Sequence, residues 1–167
     1  MVDPYLLFEK ARLHAGMHVA DFGCGMTGHI VFPAANILGE HGIMYGVDIV
    51  KEVLHIIHKR ARLNNMLNVQ TIWSDIEQVG KTAIPEKSLD AAFLVNTLVQ
   101  ANDKHSMLEE VGRLLKDKAR LIVVDWAKKG LSFGPPDDRF INFEDVKNWG
   151  KSHGFVIQEE FSVGQFH

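Results

Sequence analysis

Asp21-Phe22-Gly23-Cys24-Gly25-Met26-Thr27-Gly28 is the stretch on which the fold turns. Gly23, Gly25 and Gly28 have the spacing G-x-G-x-x-G, a pattern that carries meaning only where a strand leads in and a helix leads out. Both conditions hold. His18 to Phe22 (HVADF) reads as an apolar strand, and Ile30 to Leu38 as a helix that tolerates Pro33 in or near its first turn. Glycines at these places permit a tight turn and let a ligand lie against bare backbone at a helix N-terminus. In open sheets of this kind ligands sit beyond the carboxyl ends of the strands, so the loop marks the edge of a pocket.

Outward from the loop, short apolar runs alternate with amphipathic stretches. Ile43 to Val47, Val69 to Trp73, Leu89 to Val95 and Leu121 to Asp125 read as four further strands. Runs such as LIVV lack polar alternation and suit parallel strands buried on both faces. Lys51 to Asn64, Lys104 to Leu115 and Glu144 to His153 carry apolar residues at helical spacing, the last ended by Gly154. Residues 1–16 are expected to form an N-terminal helix. Right-handed crossovers then predict a three-layer, doubly wound α/β sheet, mostly parallel, within one domain over 1–167. Phe155 to Val163 is expected as a sixth strand. The most loop-like segment, Lys128 to Asn142, holds Gly130, Gly134, Pro135 and Pro136 and is a candidate cover for a substrate.

Composition removes several function classes. Lys and Arg number 18 against 21 Asp and Glu, a formal charge of −3, which disfavours a general grip on nucleic acid. The 46% hydrophobic and 23% charged content is that of a folded chain. Cys24 is the single cysteine, so neither a disulfide framework nor a multi-cysteine zinc site is expected. No run approaches the ~20 apolar residues of a membrane span, and the first residues lack the pattern of a secretory signal. A reduced, cytoplasmic location is the expectation.

Two acids narrow the ligand. Asp21 stands just before the first glycine, where its carboxylate would repel a pyrophosphate and attract an ammonium or sulfonium cation. Asp48 closes the second strand at a position suited to a ribose diol. Together they favour S-adenosylmethionine over NAD.

Val19-Ala20-Asp21-Phe22-Gly23-Cys24-Gly25 resembles the first motif of class I S-adenosylmethionine-dependent methyltransferases. Tyr45-Gly46-Val47-Asp48 resembles their second motif, and Ser74-Asp75-Ile76 the acidic turn after their third strand. Leu89 to Asn96, then Leu114-Leu115-Lys116 into Arg120-Leu121-Ile122-Val123, are similar to the fourth and fifth. The likeness covers roughly residues 5–165 and is nearest to a small-molecule subgroup that includes quinone-biosynthesis C-methyltransferases. It implies the Rossmann-like methyltransferase fold. It also implies cofactor contacts: Gly23, Cys24, Gly25 and Gly28 in the loop, Asp21 at the amino group and Asp48 at the ribose hydroxyls. Ile49 would lie on the adenine face, with Asp75 and Ile76 at the adenine edge and the Asn96 carbonyl at the methionine ammonium.

The chain departs from that family in two places. A Lys-Pro-Gly-Gly-like link is replaced by Lys116-Asp117-Lys118-Ala119. The family's final antiparallel strand has no counterpart before His167, which leaves an expected open sheet edge and, through it, an expected homodimer.

Other residues have plainer readings. Cys24 would face the cofactor, but no base stands near it in sequence. His55 and His58 sit in a basic, solvated helix face with no third ligand, so no metal is expected. His29 and His105 could face the acceptor as bases, and Phe133, Phe140 and Phe143 could line a lid, although surface and core roles explain them as well. No catalytic residue can be assigned. No Asn/Asp-Pro-Pro-aromatic run follows the fourth strand, which reduces the case for exocyclic amines of bases as acceptors. The expected activity is methyl transfer to a small, partly apolar acceptor. A cofactor-binding module without activity and an NAD-dependent oxidoreductase are the alternatives.

Overall fold

Five apolar runs become five parallel strands in a computed structural model that describes residues 1–167. The strands are β1 (His18–Phe22), β2 (Ile43–Asp48), β3 (Val69–Trp73), β4 (Leu89–Val95) and β5 (Leu115–Val124). Helices α1 (Pro4–Ala11), α2 (Val31–Leu38), α3 (Lys51–Leu63), α4 (Lys104–Leu114) and α5 (Phe143–Ser152) flank them. The sheet order is β3-β2-β1-β4-β5. The chain winds outward through β2 and β3, then returns to place β4 on the other side of β1. That reversal opens a crevice beyond the carboxyl ends of β1 and β4. Phe22 is level with Val47 of β2 and with Leu94 of β4, so the residues following all three strands share one rim.

Period-two alternation sends strand side chains into two cores. Val19 and Phe93 pack with Leu7, Val31, Leu38 and Ile57 beneath α1, α2 and α3. Ala20, Phe22 and Leu94 pack with Leu98, Leu114 and Trp149 beneath α4 and α5. One charge lies fully inside. Glu110 of α4 accepts the N–H groups of Gly80 and Thr82 (2.9 and 2.8 Å) and pairs with Arg113 at 2.6 Å. Burial alone would raise its pKa, but the Arg113 guanidinium and the two N–H groups outweigh burial and hold it at about 2.

Three elements differ from the sequence pattern. The N-terminal helix is shorter than 1–16: Asp3 caps it by accepting from Tyr5 N at 3.0 Å, and Arg12 ends it in a left-handed conformation (φ 52°). Strand β5 starts at Leu115, which pairs with Leu89 directly after α4; Lys116–Ala119 then bulge out of register, with Lys118 left-handed (φ 64°) and Lys116 paired to Asp90 at 2.9 Å, and regular pairing resumes at Arg120 opposite Ala91. Phe155 to Val163 is not a strand. Its anchors lie on opposite cores, Phe155 against Trp149 (ring centroids 5.4 Å apart) and Phe161 and Val163 against the α1 side. The segment therefore crosses the edge of the sheet instead of following it, and Glu159 pairs with Lys10 of α1 at 2.5 Å. The sheet is wholly parallel, no antiparallel strand follows β5, and the outer edge of β5 has no backbone partner.

Candidate functional site

The glycine loop is tied to its neighbours at both ends. Gly23 N and Cys24 N both donate to the Val47 carbonyl (2.8 and 3.0 Å), which binds the loop to β2. Thr97 Oγ1 donates to the Phe22 carbonyl at 2.8 Å, which binds the end of β1 to the turn after β4. Each glycine answers a different need. Gly23 has φ +78°, and a Cβ there would stand 2.8 Å from Thr97 Oγ1. Gly28 has φ +59° and lies against the Phe32 ring, only 2.3 Å from where its Cβ would be. Gly25 also has a left-handed φ (+67°), yet a Cβ there would meet nothing within 4 Å. Bare backbone facing open space is what a closely approaching ligand requires.

Two carboxylates flank this opening. Asp48, at the end of β2, accepts from Gly25 N at 3.2 Å and from Val50 N at 3.0 Å. Asp21 is only 3% exposed. Burial, and then the charge of Asp48, push its pKa up to about 7. Neither a cation nor a hydrogen bond offsets those two effects. A positive ligand would.

Asn96 closes β4 on the other side of the crevice with φ +55°, a conformation that costs a non-glycine residue about 1 kcal/mol or more. Its N–H donates to the Val124 carbonyl, and its own carbonyl accepts from Gln100 Nε2, each at 2.8 Å. A carbonyl has two lone pairs, so a second donor can still reach it. The Asn96 Oδ1 is buried without a partner.

One residue expected to face the cofactor turns away. The Cys24 side chain does not face the crevice. Its Sγ packs against Gly46, 3.4 Å from where a Cβ would stand, because the turn at Gly23 directs it into the α2-side core. Burial, followed by Asp21 and Asp48, pushes the thiol far up, so it stays protonated and is no nucleophile. Ile76 is buried in the α4-side core. Asp75 follows β3 and spends its carboxylate on its own turn, accepting from Glu77 N and Gln78 Nε2, both at 3.1 Å. Ile49 is 55% exposed on the rim beside Asp48.

Beside Ile49 stands a residue that the sequence reading passed over. Trp73, half-exposed at the end of β3, donates its indole N–H to the Ile49 carbonyl at 2.7 Å. The two lie next to Asp48, which Trp73 faces across the β2–β3 pairing, and the Lys51 ammonium stands 5.6 Å from the centre of the Trp73 ring. An aromatic residue just before the acidic turn Ser74-Asp75 was the available signal.

His29, His105 and the pair His55 and His58 do not converge on one place, although His105 and His153 share Glu109. His29 Nε2 lies 2.5 Å from the Val2 carbonyl, between the glycine loop and the N-terminal segment. His105 lies on α4 beside Glu109 at 3.3 Å. His55 and His58 are exposed on α3. Phe133 stacks edge-on with Trp126 (6.2 Å) and Phe166 (5.1 Å) just past the end of β5. Phe140 sits under Lys129 at 5.5 Å.

This geometry has known counterparts. Residues 13–155 match the methyltransferase-domain family. A probable cobalt-precorrin-6B C(15)-methyltransferase from Thermoplasma acidophilum is 26% identical over 113 residues, 67% of this chain and 52% of that protein. The aklanonic acid methyltransferase DauC of a Streptomyces species is 33% identical over 106 residues, 64% of this chain and 46% of that one. The chain thus spans about half the length of these curated relatives. A solved S-adenosylmethionine-dependent methyltransferase from Aquifex aeolicus superposes with a TM-score of 0.84 at 24% identity, covering 99% of this chain and 86% of that one. Its identity is low enough that it speaks to fold alone. The sheet order, the glycine loop and a family match across most of its length agree: the chain belongs to the methyltransferase-domain family, with its Rossmann-like fold.

Proposed function

We propose that the crevice between β1 and β4 binds S-adenosylmethionine and that the protein moves its methyl group to a small-molecule acceptor by in-line displacement. The observation that carries this reading is the carboxylate pair Asp21 and Asp48 beside the open backbone of Gly25. A buried acid without a cation fits an ammonium-bearing ligand and repels a pyrophosphate, which argues against NAD. Asp48 would take the ribose hydroxyls. Ile49 and Trp73 would take the adenine, with Asp75 and the Ile76 backbone at its edge. Asn96 and Asp21 would hold the amino-acid end, while Gly23, Cys24, Gly25 and Gly28 contribute backbone.

The cofactor supplies a methyl group on a sulfonium that departs as a neutral thioether. The protein's share is alignment and exclusion of water. A base is needed only if the acceptor must lose a proton. The aromatic group of Trp126, Phe133 and Phe166, beyond the end of β5, supports a small, partly apolar acceptor, with Lys128–Asn142 as its cover. No helix is long and apolar enough to cross a membrane, and the −3 charge gives no general field for nucleic acid. A cytoplasmic location fits the lone buried thiol, and the unpartnered edge of β5 is the surface through which a second copy would pair.

The direct test is calorimetric titration with S-adenosylhomocysteine, with Asp48→Ala as control. Micromolar binding that the substitution abolishes is expected. Silence from folded wild-type protein would refute the reading. An inactive cofactor-binding module is the competing reading, favoured by the unpaired backbone of residues 156–162. Methyl transfer to any member of a broad acceptor panel would eliminate it.

A further inference from the structure

We infer that Arg60 is a positioning residue for cofactor binding, gripping the exit of the glycine loop from α3 without touching the ligand; the inference rests on the S-adenosylmethionine reading above. In sequence Arg60 belongs to the run His58-Lys59-Arg60, which reads as a solvated face. In the structure its guanidinium is engaged twice. Arg60 Nη1 donates to the Thr27 carbonyl at 2.7 Å, and the guanidinium carbon lies 4.3 Å from the centre of the Phe32 ring. That same ring is what Gly28 lies against, and Phe32 N donates to the Gly28 carbonyl at 3.1 Å. Thr27, Gly28, Phe32 and Arg60 therefore form one contact unit behind the loop.

The glycine loop is held in two places by the same β2–α3 unit. Asp48 takes the Gly25 N–H at the front, and Arg60 supplies Thr27 at the back. A ribose diol at Asp48 competes for the carboxylate that Gly25 now uses. When that front hold is shared with a ligand, the rear hold keeps the loop in its left-handed turns at Gly25 and Gly28. Arginine suits the task because a planar guanidinium can stack on an aromatic face and donate in its own plane at once, whereas a lysine ammonium is a point charge. Beside this contact lies an open groove of about 520 Å³ lined by Phe32, Pro33, Asn36, Arg60, Asn64 and Met66, so the guanidinium can be removed without opening the core.

The test compares S-adenosylhomocysteine affinity for wild type, Arg60→Ala, Arg60→Lys and Phe32→Leu, with thermal midpoints and amide hydrogen exchange recorded on the unliganded proteins. Arg60→Ala is expected to weaken binding roughly five- to tenfold, the scale of one partly exposed charge-assisted hydrogen bond. Its midpoint should stay near that of wild type, while exchange quickens at residues 26–29. Arg60→Lys should recover only part of the affinity, and Phe32→Leu should weaken binding without the arginine being changed. A purely structural role would lower the midpoint and leave the affinity of the folded protein intact, which would overturn the inference. Equal affinity in wild type and Arg60→Ala would do the same. Absence of binding by wild type would instead remove the cofactor reading, and the role of Arg60 with it.

Discussion

Raising the pH should tighten binding of S-adenosylhomocysteine, because the buried Asp21 must ionise to meet the ligand's ammonium. With its pKa pushed up to about 7 by burial and Asp48, Asp21 is largely protonated in mildly acidic solution. A cation beside it favours the charged form, so binding releases a proton and affinity falls as pH falls. The ionised fraction rises from about 3% at about pH 5.5 to about 50% at about pH 7, when the pKa is about 7. If only the ionised form binds, affinity changes about 16-fold over that interval, or ~1.6 kcal/mol. Calorimetry in two buffers of different ionisation heat reads the released proton directly: nearly one per ligand at the lower pH and about half at the higher. Asp21→Asn should bind weakly and lose the slope. Affinity that is flat across the range in wild type, or a slope that survives in Asp21→Asn, would refute the assignment of the cation contact to Asp21.

The same carboxylate should cost stability. The Asp21 pKa moves from 3.8 to about 7 on folding, so its cost is absent below 3.8, grows between 3.8 and about 7, and is full above that, at ~4 kcal/mol. Asp21→Asn should therefore raise the thermal midpoint at alkaline pH and leave it nearly unchanged near pH 3.8, a comparison that differential scanning fluorimetry can make. Glu110 behaves in the opposite sense. With its pKa lowered from 4.5 to about 2, its stabilisation of ~3 kcal/mol is full above 4.5 and lost as acid takes the pH toward 2. Glu110→Gln should shift acid unfolding to higher pH and destabilise by about 2–4 kcal/mol in urea titrations at neutrality. Gly23→Ala and Gly25→Ala separate strain from contact. The first meets Thr97 as well as an adverse φ and should destabilise by about 2–3 kcal/mol, whereas the second meets only the φ, costs about 1 kcal/mol, and should still abolish cofactor binding.

The strands β1, β3 and β4 were legible to the residue, because each is an apolar run bounded by turn formers or polar residues. The placement of the glycine loop between β1 and α2, with Asp21 in β1 and Asp48 ending β2 beside it, was legible as well, since G-x-G-x-x-G is a signal of a strand-to-helix turn. The start of β5 was not. Lys116-Asp117-Lys118 reads as a polar turn and does leave the ladder as a bulge with Lys118 left-handed (φ 64°), but the pairing of Leu115 with Leu89 ahead of it is a long-range contact that the local pattern does not report. Phe155–Val163 misled in the other direction: its apolar residues serve two different cores, a fact that local patterning does not encode. The direction of the Cys24 side chain depends on the backbone turn at Gly23. The grip of Arg60 on Thr27 joins residues 33 positions apart, and no local window reports it.

The crossing segment 155–163 has a consequence for the order of assembly. Its contact between Lys10 and Glu159 closes a separation of 149 residues, the kind of long-range closure that is made late because loop entropy must first be overcome. Its two seats also belong to different layers, so both must exist before it can dock. Few hydrogen bonds hold it, and Val156 is 76% exposed. Such a strap is expected to close late in refolding and to open early in the native state, which amide exchange at residues 156–162 would read. Its release would uncover Phe155, Phe161 and Val163 together, making this short stretch the molecule's point of entry for proteases and for sticky, partly open species.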